Sequence, residues 1–443
     1  MSRDDDRVPT ARGRMPLIGH SLAMALRKQR FMRGLAGQGD LVRLRLGRRT
    51  AYYVHSADLL RQMLVTDARR VGKGWVYDRV RNLIGNGLVT ADGPVHATHR
   101  RMMQPAFRRT CISSYAGVMT EEAAALAASW RPGERVAVDD EVAQLAGVVI
   151  ARSLCSSRHL TKEASRRLAS LSNTVIRTMS VRAMLPMGVW ERLPLPGARR
   201  TTARIREFHA IVDELIARYR ADPEHHDDLL GILLSARDED TGTTMTDAQV
   251  HDEITTLFVA GVETTSAALA GAFYELARNP AVERQVLDEV DEVLAGREPS
   301  FADLPRLTCT RRFLNEVLRR YSLWFLMRQA NDDLRWGSHH IPRGTTLIFS
   351  PYSLHHDERF YPDPGRIDPD RWLDGDHLKS AFVPFSTGPR GCIGESFAWA
   401  EMTITLAAVL RRWRLELPAD SKVRLVTSGT LRPEPLTMIP TPR

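Results

Sequence analysis

The chain has 443 residues, 43% of them hydrophobic, and a formal charge of +9. Only Lys28, Lys73, Lys162, Lys379 and Lys422 are lysine; the other basic residues are arginines, dispersed rather than gathered into a stripe, which argues against nucleic-acid binding and suits a basic face for an acidic protein partner. Cys111, Cys155, Cys309 and Cys392 are far apart and do not read as a disulfide framework, so the expected location is a reducing cytoplasm.

The N-terminus, Met1-Ser-Arg-Asp-Asp-Asp-Arg-Val8, is polar, with no apolar core for a signal peptide or membrane anchor. Residues 1–14 read as a flexible tail on a single domain spanning 1–443, because no tether or repeat divides the chain, and a monomer is expected. Met15–His20 reads as an entry turn. Leu41–Leu46 alternates apolar and basic residues, which predicts a half-buried strand, and Gly47-Arg-Arg49 turns it into a hairpin mate over Thr50–Val54. A helix follows from Ser56. The middle of the chain is helix after helix, broken at Arg131-Pro-Gly133, Leu193–Gly197 and Ala221-Asp-Pro223, and strand returns over His340–Phe349. The expected class is mainly α with a small β portion.

Four segments carry chemistry. Asp92-Gly-Pro opens a helix that places His96 and Arg100 four apart, on one face. Thr246-Asp-Ala-Gln249 has capping-box spacing and opens an amphipathic helix running to Arg278, about 45 Å long. Its centre, Ala260-Gly-Val-Glu-Thr-Thr265, is rich in poor helix formers and holds an ionisable Glu263. That composition fits either a close helix crossing or a functional site. Glu316 and Arg319 stand one turn apart, a spacing that alone would describe a surface ion pair. Finally, Phe385-Ser-Thr-Gly-Pro-Arg-Gly-Cys392-Ile-Gly394 sets a cysteine in a glycine-rich loop just ahead of a helix beginning at Glu395. Free N–H groups at that helix start favour a thiolate, as a metal ligand requires. The alternative is a buried structural cysteine. A zinc knuckle would need a second cysteine within a few residues.

The loop resembles the haem-ligand signature of the cytochrome P450 family at Phe385, Gly388, Arg390, Cys392 and Gly394. Ala260–Thr265 is similar to that family's oxygen-activation motif, with Glu263 where many relatives carry Asp. Glu316-Val-Leu-Arg319 and Asp368-Pro-Asp-Arg371 resemble its Glu-x-x-Arg element and the third member, Arg371, with Asp370 where relatives often have Glu.

The resemblance implies a cytochrome P450 fold and haem b, with Cys392 as axial ligand of the iron. It implies Arg100, Arg390, His96 and Arg328 at the propionates, and Phe385, Gly388, Gly394 and Gly261 close to the cofactor. Thr264 and Glu263 would relay protons, and Glu316, Arg319 and Arg371 would form a buried structural network. The implied activity is insertion of one oxygen atom of O2 into an apolar small molecule, such as a terpenoid or other secondary metabolite. Electrons would come from NAD(P)H through a ferredoxin reductase and a ferredoxin. The rival readings are a peroxide-driven peroxygenase and a non-catalytic haem protein. Expected substrate contacts are Trp75–Leu88, Met184–Trp190, Phe258 with Ala260 and Gly261, Leu323–Met327 and Ser428–Leu431. Arg100, Arg101, Arg108 and Arg109 are expected to form a basic face toward the ferredoxin.

Overall fold

The structure, a computed structural model, describes residues 8–155, 159–184, 198–222, 228–238, 240–374, 378, 380–427 and 429–443, with the side chains of 180–184 and 198 left aside. It is mainly helical with a small β portion, as expected. The central helix spans Asp247–Arg278. Thr246 Oγ1 accepts from the Gln249 N–H (3.3 Å) and Gln249 Oε1 from the Thr246 N–H (2.9 Å), which closes the capping box.

That helix packs against Val138–Leu154, Lys162–Met184, Ala198–Ala221 and Glu395–Leu410 at once. Val250, Ile254, Phe258, Val262, Leu269, Phe273 and Leu276 are therefore all buried, each such side chain contributing about 1.5–3 kcal/mol. Among the described residues it is the one helix long and apolar enough to cross a membrane, but its apolar window is 78% buried inside the protein. It is the core around which the other helices are laid.

The larger sheet has five strands. Leu41–Leu46 pairs antiparallel with Arg49–Val54, Leu41 opposite Val54, across a turn in which Gly47 takes φ +60°. Thr346–Phe349 adds in parallel, then Leu326–Ala330 and Val71–Gly72 antiparallel. The expected flexible tail over 1–14 is corrected for residues 8–11. Ala11 N donates to Arg43 O and Arg43 N to Pro9 O (2.9 and 2.8 Å), and Val8 and Ala11 are buried, so this segment is held along the first strand. The expected break at 193–197 lies outside the described residues.

Candidate active site

The cysteine loop holds a short 3-10 turn, Gly388–Arg390, closed by backbone bonds. Cys392 N donates to Phe385 O (2.8 Å) and Gly391 N to Gly388 O (2.9 Å), folding the ends of the loop together. Gly388 has φ +73°, and a Cβ there would lie 2.1 Å from the Leu64 carbonyl oxygen, so only glycine fits. Gly394 is the N-cap of the helix Glu395–Leu410, and a Cβ on it would sit 4.0 Å from Cys392 Sγ. Phe385 packs near Trp399 of that helix, ring centroids 6.0 Å apart.

Cys392 is exposed, so its sulfur is open to a ligand. Burial pushes its thiol up, and Glu395 adds to the rise, while the Gly394 N–H and Arg100 oppose it. The Gly394 N–H at the helix start favours the thiolate, as expected, but burial outweighs it. A bound metal cation would supply the missing stabilisation.

Beside the cysteine lies a strongly cationic cluster. His96 is buried on the helix Gly93–Met103; burial first, then Lys73, Arg390 and Arg100, pushes its pKa down to about 3, so it is neutral. Arg100 donates to the Gly391 carbonyl in the cysteine loop and to Gln104 Oε1 (3.3 Å). Arg328, on strand Leu326–Ala330, is buried. It donates to Met327 O (2.8 Å) and Tyr77 Oη (3.3 Å), and has no carboxylate in ion-pair range among the described residues.

Arg390 donates to Ala68 O (2.7 Å) and to Asp92 Oδ1 (2.6 Å), while its buried Nε has no partner. Asp92 also accepts from the Lys73 and Gly93 N–H groups (2.7 and 2.9 Å). Burial alone would raise its pKa, but these donors together with Arg390 hold it below the usual carboxylate range.

Sequence reasoning missed Lys73. It is buried, its Nζ donates to the carbonyls of Leu88 and Val89, and burial followed by Arg328 and Arg390 brings its pKa down to about 7. Arg328 and Arg390 thus act on Lys73, and Lys73, Arg390 and Arg100 on His96, with Asp92 and Glu253 the carboxylates in reach of Lys73; Glu253 is also paired with His99 (2.6 Å). A buried excess of positive charge costs folding free energy unless an anion joins it. With an available cysteine sulfur alongside, the donor set fits a metalloporphyrin bearing two carboxylates.

On the central helix, Ala260 and Thr264, one turn apart, are exposed on an otherwise mostly buried stretch, the side we take as facing the cleft. Thr264 Oγ1 donates to the Ala260 carbonyl at 2.8 Å, the bond expected of a mid-helix threonine.

Glu263 requires a correction. It is buried, and its Oε1 accepts from the Gly429 N–H at 2.8 Å. Successive helical residues point about 100° apart, so the carboxylate faces Gly429 while Thr264 points to another, exposed side. Gly261 is corrected too: a Cβ there would lie 2.5 Å from Ile150 Cδ1, so this glycine serves a close helix crossing. Phe258, an expected substrate contact, is fully buried and packs edge-on against Phe208, 5.8 Å away.

The Glu316 network is buried. Arg319 donates bidentately to Glu316 (2.8 and 3.0 Å), and both side chains are 0% exposed. Glu316 also accepts from Asp368 N (2.9 Å) and Trp372 Nε1 (3.0 Å), and Arg371 Nε stands 3.4 Å away. Arg319 gives its other donors to the carbonyls of His355, Pro364 and Arg366.

Two expected substrate segments meet. Leu323 bridges Thr430, and Trp324 N donates to Gly429 O (3.3 Å). The 185–190 part of another expected segment lies outside the described residues, as does Ser428.

Comparison with known proteins fits this geometry. The cytochrome P450 family model matches residues 9–440. The chain is 39% identical to pentalenene oxygenase of Streptomyces avermitilis over 427 residues, covering 95% of this chain and 94% of the relative. It is 37% identical to cyclooctatin synthase of Streptomyces melanosporofaciens over 442 residues (99% and 96% covered) and 39% identical to cyclooctat-9-en-7-ol 5-monooxygenase of the same organism (98% and 95%). Among solved structures, the cytochrome P450DA heme domain superposes with a TM-score of 0.86 at 28% identity, over 98% of both chains. With the cysteine loop, the central helix and the buried Glu316–Arg319 pair all placed in one fold, the chain belongs to the cytochrome P450 family.

Proposed function

We propose that this monooxygenase binds haem through Cys392 and places one oxygen atom of O2 into an apolar terpenoid skeleton. The observation that carries the reading is the accessible Cys392 sulfur beside a cluster in which Lys73, Arg100, Arg328 and Arg390 outnumber the carboxylates Asp92 and Glu253. The terpenoid class is supported by the names of the similar proteins, which speak of pentalenene and of the cyclooctatin series. Haem bound at this site supplies dioxygen binding and O–O cleavage, favoured by electron donation from a thiolate.

The protein's own residues hold, orient and protonate. Lys73, Arg100, Arg328 and Arg390 neutralise the propionates, and neutral His96 donates a hydrogen bond without adding charge. The exposed Thr264 hydroxyl offers a proton donor on the cleft side. Glu263 does not stand beside it; its carboxylate fixes the turn that carries Gly429 and Thr430 against Leu323. The Glu263–Thr264 pairing therefore gives no argument against peroxide-driven turnover, and assay with peroxide alone decides between the two modes.

Reduced protein under carbon monoxide should show the strongly red-shifted Soret band of thiolate ligation, and Cys392→Ala should lose it. Persistence of that band in the variant would place another ligand on the iron and remove the reading.

Electrons are proposed to come from NAD(P)H through a separate reductase and ferredoxin. The basic face is narrower than the sequence suggests. Arg101 is tied to Asp238 (2.5 Å) and Asp240 (2.9 Å), and Arg100 faces the cysteine loop. Arg108 and Arg109 stay exposed. Arg109 lies over the Phe301 ring (5.3 Å) at a groove of about 750 Å³ that it lines with Arg311 and Arg312. Reduction by an acidic ferredoxin should slow as salt rises, since exposed charges are screened within about 8–10 Å. Arg108→Glu with Arg109→Glu should slow it further and flatten the salt dependence. Unchanged kinetics in the double variant would move the docking face elsewhere.

A further inference from the structure

Three successive residues of the central helix, His251, Asp252 and Glu253, take part in polar ties between elements. Asp252 Oδ2 accepts from the Asn86 N–H (2.7 Å) and Glu253 Oε2 from the Leu88 N–H (2.8 Å), so the chain that follows helix Trp75–Ile84 is laid along the central helix. Two glycines permit the approach: a Cβ on Gly85 would collide with the Asp252 carboxylate, and one on Gly87 with Thr256 Oγ1. His251 Nε2 lies 3.2 Å from Nδ1 of His209, on the helix Ala198–Ala221, with the ring centroids 5.0 Å apart. The Leu83 carbonyl bears on His209 as well. His209 thus joins helix Ala198–Ala221 both to the central helix and to the end of an expected substrate segment.

The two rings share one hydrogen bond, and its direction follows from the neighbours. With Nδ1 of His209 turned to His251, Nε2 is the nitrogen left for the Leu83 carbonyl, which can only accept. Neutral His209 therefore carries its proton on Nε2, and Nδ1 accepts from the Nε2–H of His251. A proton added at His251 goes to Nδ1, 3.6 Å from Asp252 Oδ1, and leaves that bond in place. A proton added at His209 goes to Nδ1, sets two N–H groups head to head and breaks it. His251 and Asp252 of the central helix and Asp213 of its own helix all act on His209. On the helix Lys162–Met184, which packs on Ala198–Ala221 too, Arg167 is paired with Glu207 (2.6 Å). Burial first, then His251, holds the His209 pKa below its ordinary value, against Asp213, the Leu83 carbonyl and Asp252, so the accepting form prevails at neutral pH.

We infer that His209 and His251 form an acid-released clasp that fixes helix Ala198–Ala221 across residues 83–88 at the edge of the substrate site. The unfolded chain takes a proton on this ring more readily than the folded one, so the fold loses stability as pH falls from about 6.5 toward the lower folded value. His209 is a positioning residue, and only the statement that 83–88 borders the substrate site rests on the monooxygenase reading.

The test is hydrogen–deuterium exchange of the full-length haem-loaded protein, read by mass spectrometry at about pH 7.5 and about pH 5 and corrected for the intrinsic effect of pH on exchange. Peptides covering 83–90 and 203–213 should open about fivefold more often in acid, as loss of one hydrogen bond predicts, while Thr308–Arg320 stays unchanged. His209→Leu should open at both pH values. His209→Asn, whose side-chain oxygen stands in for the accepting nitrogen and does not titrate, should stay closed at both. Imidazole, which ligates haem iron without turnover, should bind about fivefold faster to His209→Leu at about pH 7.5 than to the wild type or His209→Asn. An acid response that persists in His209→Asn, or that spreads to Thr308–Arg320, overturns the clasp. So does equal exchange in His209→Leu and the wild type at neutral pH. The expected exchange pattern with equal imidazole rates overturns its place at the edge of the site. The expected pattern in a protein whose iron lacks the thiolate signature supports the clasp and counts against the monooxygenase reading alone.

Discussion

Glu316→Ala is expected to yield protein that is mostly insoluble or does not retain haem. The carboxylate receives the Arg319 guanidinium at 2.8 and 3.0 Å, the Asp368 N–H and the Trp372 indole, with Arg371 at 3.4 Å. Truncation leaves Arg319 fully buried with its anion gone. Breaking such a pair costs about 3–5 kcal/mol, against a total stability of about 5–15 kcal/mol. The cost is concentrated at a joint: the same pair ties the Thr308–Arg320 helix to the segment 355–372 that leads toward the cysteine loop. Glu316→Gln keeps an acceptor oxygen and the volume, and should lie between the two. The measurements are soluble yield, haem content and thermal unfolding midpoint. A soluble, haem-loaded Glu316→Ala protein with an unchanged midpoint would show that the pair is not what holds this joint.

Features set by neighbours in sequence were legible. The capping box at Thr246 and Gln249 needs only three-residue spacing, and the helix it opens ends at Arg278 as its periodicity predicts. The hairpin over 41–54 follows from alternation and a glycine turn. The Glu316–Arg319 spacing was visible, and its depth was expected from the family resemblance but not from the spacing itself. A buried bidentate pair and a surface pair look alike until Trp372, Asp368 and the carbonyls of 355–366 are brought around it.

The direction of Glu263 was illegible for a related reason. Helical phase says which residues share a face, not that Gly429 covers one of them. Arg101 shows the same limit: its partners Asp238 and Asp240 come from a segment far along the chain. Lys73 gave no motif at all. Its one signal was to be among only five lysines in an arginine-rich chain, and that means nothing until Arg328, Arg390 and Asp92 are placed around it.

Thr264→Ala is expected to separate electron consumption from product formation. The hydroxyl is exposed on the cleft side of a helix whose other residues are mostly buried, and in the resting arrangement it donates to Ala260 O at 2.8 Å. That bond is within the helix, so removing the hydroxyl deprives no other element of a partner, and the backbone keeps its own ladder. Folding, haem loading and substrate binding should therefore survive, with the unfolding midpoint close to the wild type. What disappears is a donor that can swing from Ala260 toward the cleft at no cost to packing. A hydrogen bond worth about 1.4 kcal/mol at the decisive step corresponds to about a tenfold change in rate. Partition between product and hydrogen peroxide should shift by at least about that factor, with NADPH consumption roughly preserved. Thr264→Ser restores the donor and should recover most of the coupling. Thr264→Val keeps the volume without the donor and should behave like alanine. Product per NADPH, with peroxide titrated alongside, is the measurement. Equal coupling in all four proteins would make Thr264 a packing residue and leave proton delivery to a route that does not use its hydroxyl.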